Sequence, residues 1–343
     1  MVYAFGSATS VWNVPRKELL EITGVSNGII SEIGKEEHLK FAENELNFCE
    51  KNNVKIRLRH QSELPFFLSE CADAPAILYQ KGDFNERFTP LSIVGTRNIT
   101  AYGKTFVRDF LEETKSFKII TISGLAYGVD TEVHQQSLDR NIPTIAVLAH
   151  GFHMLYPSKN KILAEKIIEQ GGALFTEFNT SQKPDREHFI QRNRVVAGLS
   201  PNLIVVETAY GGGSISTATF ANGYNREVYA LPGRITDKYS QGCNHLIFQN
   251  KAVVISGLKI LIDNLQLDKT EIIPELFPSP KAEISLPEKQ QKIYDIILQN
   301  ANIHLDDLAE KLELNSFEIL PDLLELEILG HIKADSGRHF SIL

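Results

Sequence analysis

No stretch of this chain approaches the about 18 consecutive apolar residues that a membrane-spanning helix requires. The first residues, Met1-Val-Tyr-Ala-Phe-Gly, also lack the basic segment and apolar run of a secretory signal. The protein is therefore expected in the cytoplasm, with no membrane partner. Cysteine is scarce: Cys49, Cys71 and Cys243 are scattered and form no CxxC pair. That spacing fits buried thiols in a reducing compartment rather than a disulfide framework or a thiolate metal site. The ten histidines show neither an HxxxH pattern nor Cys/His ligand spacing, so no metal is expected. Two phosphate signatures are missing as well: GxGxxG with its spaced acid, and GxxxxGK followed by Ser or Thr. No cofactor is expected.

The net charge of −8 seems at first to exclude a polyanionic ligand. Its distribution is uneven, however. Residues 1–87 carry −3, residues 281–343 carry −6, and residues 88–265 carry +3. Nucleic acid, if bound, is expected on that middle segment.

Within it, apolar runs alternate with helical patterns. Strands are predicted at Leu91–Val94, Ile119–Ile122, Thr144–Leu148, Ala173–Glu177, Leu203–Glu207, Glu227–Leu231 and Ala252–Ile255. Helices are predicted at Gly103–Glu113, Asp130–Leu138, Lys161–Glu169 and Ser216–Tyr224. Continuous apolar strands separated by helices indicate α/β architecture: a Rossmann-like parallel sheet covered on both faces, with its ligand beyond the strands' carboxyl ends. Three domains and a linker are delimited. Residues 1–70 form a small helical N-terminal domain, 71–265 the sheet domain, 266–287 a Pro-rich linker and 288–343 a C-terminal winged helix of three helices and a hairpin. In the first domain, residues 18–34 read as two short helices joined at Gly24-Val25. They are open to two readings, a partial helix-hairpin-helix and a purely structural turn.

Four features follow strand ends. Gly95-Thr96-Arg97 combines a close-approach glycine, a hydroxyl and a guanidinium that can fork onto phosphate. Ser123-Gly124-Leu125-Ala126-Tyr127-Gly128 opens a helix and leaves its first amides free. Gly211-Gly212-Gly213-Ser214 precedes another helix. Finally, Arg186 to Arg194 carries Arg186, Arg192, Asn193 and Arg194 around Phe189. Phe189 suits either the core or a base-stacking surface, and basic groups beside an aromatic ring suit a single nucleic-acid strand.

Ile93-Val94-Gly95-Thr96-Arg97, Ser123 to Asp130, Tyr156-Pro157, Arg192 to Ser200 and Gly242-Cys243-Asn244-His245-Leu246-Ile247 together resemble the DNA-processing protein A (DprA/Smf) family, in order, through about residues 75–260. The resemblance implies sequence-independent binding of single-stranded DNA, protection of incoming DNA and loading of RecA recombinase in natural transformation. It also implies a homodimer formed near Asn244, Ile247 and Val253. The family's Gly-Ser/Thr-Arg motif falls on Gly95, Thr96 and Arg97, and its basic residue and phenylalanine fall on Arg186 and Phe189. A lysine found after Tyr-Pro in some members is Ser158 here, with Lys159 next. The expected DNA-contacting set is Gly95, Thr96, Arg97, Ser123, Gly124, Gly128, Lys159, Arg186, Phe189, Arg192, Asn193, Arg194, Gly212, Gly213 and Ser214.

The rival reading is an enzyme, since Gly212-Gly213-Ser214 resembles the glycine loop of Rossmann-fold nucleotide phosphoribohydrolases. That chemistry uses a glutamate just after the loop, and Ser216-Thr217-Ala218-Thr219-Phe220-Ala221 offers none. No enzymatic activity is expected. A transcription regulator acting through the winged helix is disfavoured by the −6 charge of residues 281–343 and by the absence of Lys and Arg from Ser316 to Leu326. A protein-contact or regulatory role suits that domain better.

Overall fold

Seven predicted strands all form, and two further ones join them in a single nine-stranded sheet. The computed structural model describes residues 1–22, 24–268, 287–300, 303–312, 314–329, 331–335 and 338–342. The chain divides into two units, Met1–Thr270 and Glu271–Leu343. The expected linker lies almost entirely outside the described residues.

The strands of the larger unit are β1 (Val54–Leu58), β2 (Ile77–Gly82), β3 (Thr89–Val94), β4 (Ile119–Ser123), β5 (Thr144–Val147), β6 (Ala173–Thr176), β7 (Asn202–Val205), β8 (Glu227–Ala230) and β9 (Val253–Val254). They lie in the order β1-β2-β6-β5-β4-β3-β7-β8-β9. From β6 to β9 every pairing is parallel. β1 and β2 extend the sheet antiparallel. The sheet thus begins inside residues 1–70, the segment assigned to the helical domain.

Alternation along the strands builds a core on each face. Val94, Ile120, Ile122, Ile145 and Phe175 pack on one side, and Leu91, Ile93, Phe110, Val133 and Ile204 on the other. Each fully buried aliphatic or aromatic side chain contributes about 1.5–3 kcal/mol, which is why central strands read as unbroken apolar runs. All three cysteines are buried and unbridged. Burial pushes the Cys49 thiol up to about 11 and that of Cys243 to about 12.

The N-terminal segment folds as short helices around Val11, Leu19 and Ile30. The two expected near Gly24 are Arg16–Leu19 and Asn27–Glu32, and Gly24 itself takes the left-handed conformation. The longer helix Glu36–Lys51 is tied to the sheet unit by buried Glu45, which accepts from the Thr180 amide at 3.1 Å. Among the described residues no helix is long and apolar enough to cross a membrane.

The second unit contains helices Glu288–Gln299, Leu305–Lys311 and Ser316–Ile328. Its three-stranded sheet comprises β10 (Ile303–His304), β11 (Ile332–Asp335) and β12 (His339–Ile342), with β12 central. This is a winged helix, packed around Ile293, Leu308, Ile319, Leu323 and Phe340.

One buried polar network bears on acid stability. Thr121, Ser137 and Thr144 share hydroxyl hydrogen bonds of 2.7–2.8 Å, and His134 Nδ1 joins Thr144 at 2.8 Å. Burial, aided by nearby Arg192, pulls the His134 pKa down to about 3. An unfolded chain takes up this proton near pH 6.5, which the folded chain refuses until about 3. The stabilisation is therefore complete above about pH 6.5 and is lost on acidification, reaching about 2 kcal/mol by about pH 5. Asp130, whose pKa is raised by burial, acts in the opposite sense. His134→Gln should flatten the fall of melting temperature between about pH 7 and 5; parallel curves for parent and variant would refute this assignment.

Candidate nucleic-acid interface

The strand order reverses between β3 and β7, so the loops after these two strands diverge and leave a crevice at their carboxyl ends. A cavity of about 800 Å3 opens there. Close packing of loop on loop forms its floor. The Thr96 amide donates to the Glu207 carbonyl at 2.6 Å, and the Thr96 carbonyl accepts from Val129 at 3.0 Å. A side chain on Gly128, which has φ +80°, would lie 2.2 Å from the Thr96 carbonyl. One on Gly124 would strike the Arg192 guanidinium at 2.5 Å.

The wall opposite is the helix Arg186–Gly198, started by Asp185, whose carboxylate accepts from the His188 amide at 2.7 Å. Helical spacing sorts the basic cluster that the sequence presented as one group. Arg186, Phe189 and Asn193 share a face on the cavity. Arg192 is buried beneath them and donates to the Gly124 carbonyl at 2.6 Å and to the Val147 carbonyl. Burial pulls its pKa down to about 10, against the opposing pull of Asp130.

Phe189 is half-buried, and two guanidinium groups lie over its ring, Arg97 at 5.0 Å and Arg192 at 5.9 Å. The exposed Tyr156 ring meets it edge-on at 5.9 Å. The cavity's remaining side is the helix Gly213–Gly223, which begins within the glycine run, ahead of the expected Ser216. Gly212 supplies no capping side chain, so the first amides and the positive end of the helix dipole face the cavity. Buried Ser214 lines it too, with a hydroxyl that has no partner among the described residues. The arrangement offers cationic and amide donors for phosphate beside a ring for stacking.

Gly95, Thr96, Arg97, Gly124, Arg186, Phe189, Arg192, Asn193, Gly212, Gly213 and Ser214 all line this cavity. The other four expected contacts lie outside its lining. Ser123 is buried and donates to the Ile93 carbonyl at 2.7 Å, so its hydroxyl belongs to the sheet. Arg194 points away, onto the Glu177 carboxylate and the Asp73 carbonyl. Lys159 is exposed but outside the lining, and Gly128 acts in loop packing. Arg192 lines the floor while its guanidinium is spent on internal carbonyls. Near β9, Asn244 is engaged within its own chain, donating to the Gly233 carbonyl at 2.9 Å. Ile247 packs half-buried on the core, and Val253 is exposed.

The expected DNA-contacting set omits Tyr156, Asp130 and Thr208, which also line the cavity. The Tyr-Pro dipeptide was the signal for Tyr156. For Asp130 it was the carboxylate in the first turn of the helix after Gly128. The carboxylates Glu207, Glu177 and Asp130 are all engaged: Glu207 is buried and accepts from the Thr100 amide at 2.9 Å and the Thr100 hydroxyl at 2.5 Å. Glu177 is paired with Arg194, and Asp130 accepts from the Ala126 amide at 3.3 Å.

Fold and site define a Rossmann-type protein that presents anion donors and an aromatic ring at the switch point of its sheet. The chain belongs to the DNA recombination-mediator protein A family, whose model matches residues 55–266; the DprA winged helix domain matches residues 277–338. It is 32% identical over 304 residues to protein Smf of Escherichia coli, covering 87% of this chain and 80% of that one. Among solved structures it is similar to DNA processing protein A of Streptococcus pneumoniae, with 28% identity and a TM-score of 0.63 over 75% of this chain and 88% of that one. It is also similar to DNA processing protein A of Helicobacter pylori, described for its single-stranded DNA binding mode. There the identity is 26% and the TM-score 0.55, over 62% of this chain and 95% of that one.

Two arginines at one cavity should separate cleanly on substitution. Arg192→Met leaves Asp130 buried without its counter-charge and should cost about 3–5 kcal/mol of stability. Arg97→Gln, at an exposed position, should leave the melting temperature unchanged. Calorimetry that finds equal losses for both, or none for Arg192→Met, contradicts the assignment.

Proposed function

We propose that this protein binds single-stranded DNA without sequence preference, protects incoming strands and loads RecA recombinase onto them in natural transformation. The carrying observation is half-buried Phe189, with the guanidinium groups of Arg97 and Arg192 near its ring, beside an uncapped helix N terminus. An unpaired base can stack on such a ring while its phosphates meet the guanidinium and amides; a duplex keeps its bases stacked inside. The family's description as a recombination mediator supports the RecA step, and the binding mode described for the H. pylori protein supports the ligand. Engagement of Glu207 with Thr100 favours a binder over a glycoside-cleaving enzyme. A cytoplasmic location follows from this role.

Gel-shift titrations with single- and double-stranded oligonucleotides of one sequence provide the test. Single strands should bind more tightly, with affinity falling as salt rises. Phe189→Ala should weaken binding by about 1–3 kcal/mol with the fold intact. Arg97→Glu should reduce affinity at least about tenfold, or about 1.4 kcal/mol. Equal affinity for duplex would sink the reading.

We place a homodimer contact at the β9 edge, where exposed Val253, Val254 and Phe248 form an apolar margin. Two copies joined there would hold a longer strand with higher avidity. Val253→Asp should yield a folded monomer that binds long oligonucleotides less tightly and very short ones equally well. Light scattering that shows an unchanged assembly would exclude this contact.

A further inference from the structure

The third helix of the winged-helix unit, Ser316–Ile328, is apolar on two opposite sides. Ile319, Leu323 and Leu326 are buried in the unit's core. On the far side Phe317 is 70% exposed, Leu320 45% and Leu324 59%, a stripe at i, i+3 and i+7. A surface helix ordinarily carries polar groups there, and large exposed apolar side chains at contact spacing mark an interaction surface. In a helix-turn-helix arrangement this second helix of the pair is the one that reads a DNA groove.

Its chemistry rules DNA out. No Lys or Arg occurs between residues 312 and 330, whereas Glu318, Asp322, Glu325 and Glu327 all lie on this helix. Exposed Glu318 and Glu325 lie along one flank of the stripe, and Glu327, bound to the Ala334 amide at 3.2 Å, lies towards the other. Lys289, from the neighbouring helix, is taken up by Asp322 at 2.7 Å and by the Glu318 carbonyl at 2.8 Å. Phosphate and anionic lipid are repelled by such a rim. A second copy of the same face would set like charges against each other.

We propose that this helix docks a partner protein's amphipathic helix whose apolar stripe is flanked by Lys and Arg. Phe317, Leu320 and Leu324 supply the apolar contact, and the glutamates select the charge of the rim. The role is independent of the DNA cavity, which belongs to the other unit.

The test uses the full chain and two labelled synthetic peptides, one of leucine and lysine at helical spacing and one with glutamate in place of lysine. Fluorescence anisotropy should show binding of the lysine peptide alone. Phe317→Ser combined with Leu324→Ser should weaken it at least about tenfold at unchanged melting temperature, as a lost apolar contact centre does. Leu320→Lys, which leaves the buried side untouched, should do the same. Leu298→Ser removes an equally exposed leucine (59%) from another helix and should have no effect. Equal binding of both peptides, no binding of the lysine peptide, or binding that survives the double substitution would overturn the proposal. So would light scattering in which the full chain self-associates and the double substitution abolishes that association, because the face would then belong to a second copy.

Discussion

Beneath the cavity, the Arg192 guanidinium bridges the carbonyls at the ends of β4 and β5 and faces Asp130. A buried cation is costly unless its donors are taken up, and here two carbonyls and the Asn193 side chain take them up, with Asp130 as a nearby opposite charge. The bridge fixes the helix Arg186–Gly198 against the sheet. Phe189 lies three residues before Arg192 and Asn193 directly after it, so their places at the cavity depend on this one anchor. Gly124 completes the constraint, since a side chain there would occupy the space the guanidinium fills.

The same economy of space governs the rest of the site. Three loops approach one another at backbone distance, which only glycine at the contacts permits. Their polar groups largely satisfy one another, and what faces the cavity is a small set of arginines, the rings of Phe189 and Tyr156 and a helix end. An acidic chain can thus hold a locally cationic crevice. The local charge there is set by three arginines and a helix dipole against Asp130 and Asp185, rather than by the total charge.

The central strands were legible in the sequence because burial on both faces leaves uninterrupted apolar runs. β1 was not, because Val54-Lys55-Ile56-Arg57-Leu58 alternates at a sheet edge and adjoins a helical segment. The run Arg186 to Arg194 read as a charged patch because it carries few apolar residues, although Asp185 caps it and its Arg, Glu and Gln residues favour a helix. Once it is helical, Arg186, Phe189 and Asn193 recur at the three- and four-residue spacing of one face, Arg192 lies at the floor beside them, and Arg194, two residues further on, turns away to Glu177. Ser123 failed for a related reason, since residue type alone does not say on which side of a strand end a hydroxyl falls. The early start of Gly213–Gly223 ran against the low helix propensity of glycine. The motif residues converge on one crevice, while the partition between lining and scaffold required coordinates.

The stacking of Arg97 on Phe189 has a thermodynamic corollary. An exposed arginine samples many rotamers, and fixing it on a ligand sacrifices that freedom, a loss of up to about 2 kcal/mol. The ring restricts Arg97 before any strand arrives, leaving the edges of the guanidinium open to phosphate. Ring and cation are therefore coupled: removing Phe189 also releases Arg97 into a wider ensemble. Their separate contributions to affinity will be less than additive in a double-mutant cycle, and the deficit measures the order that the empty site already carries.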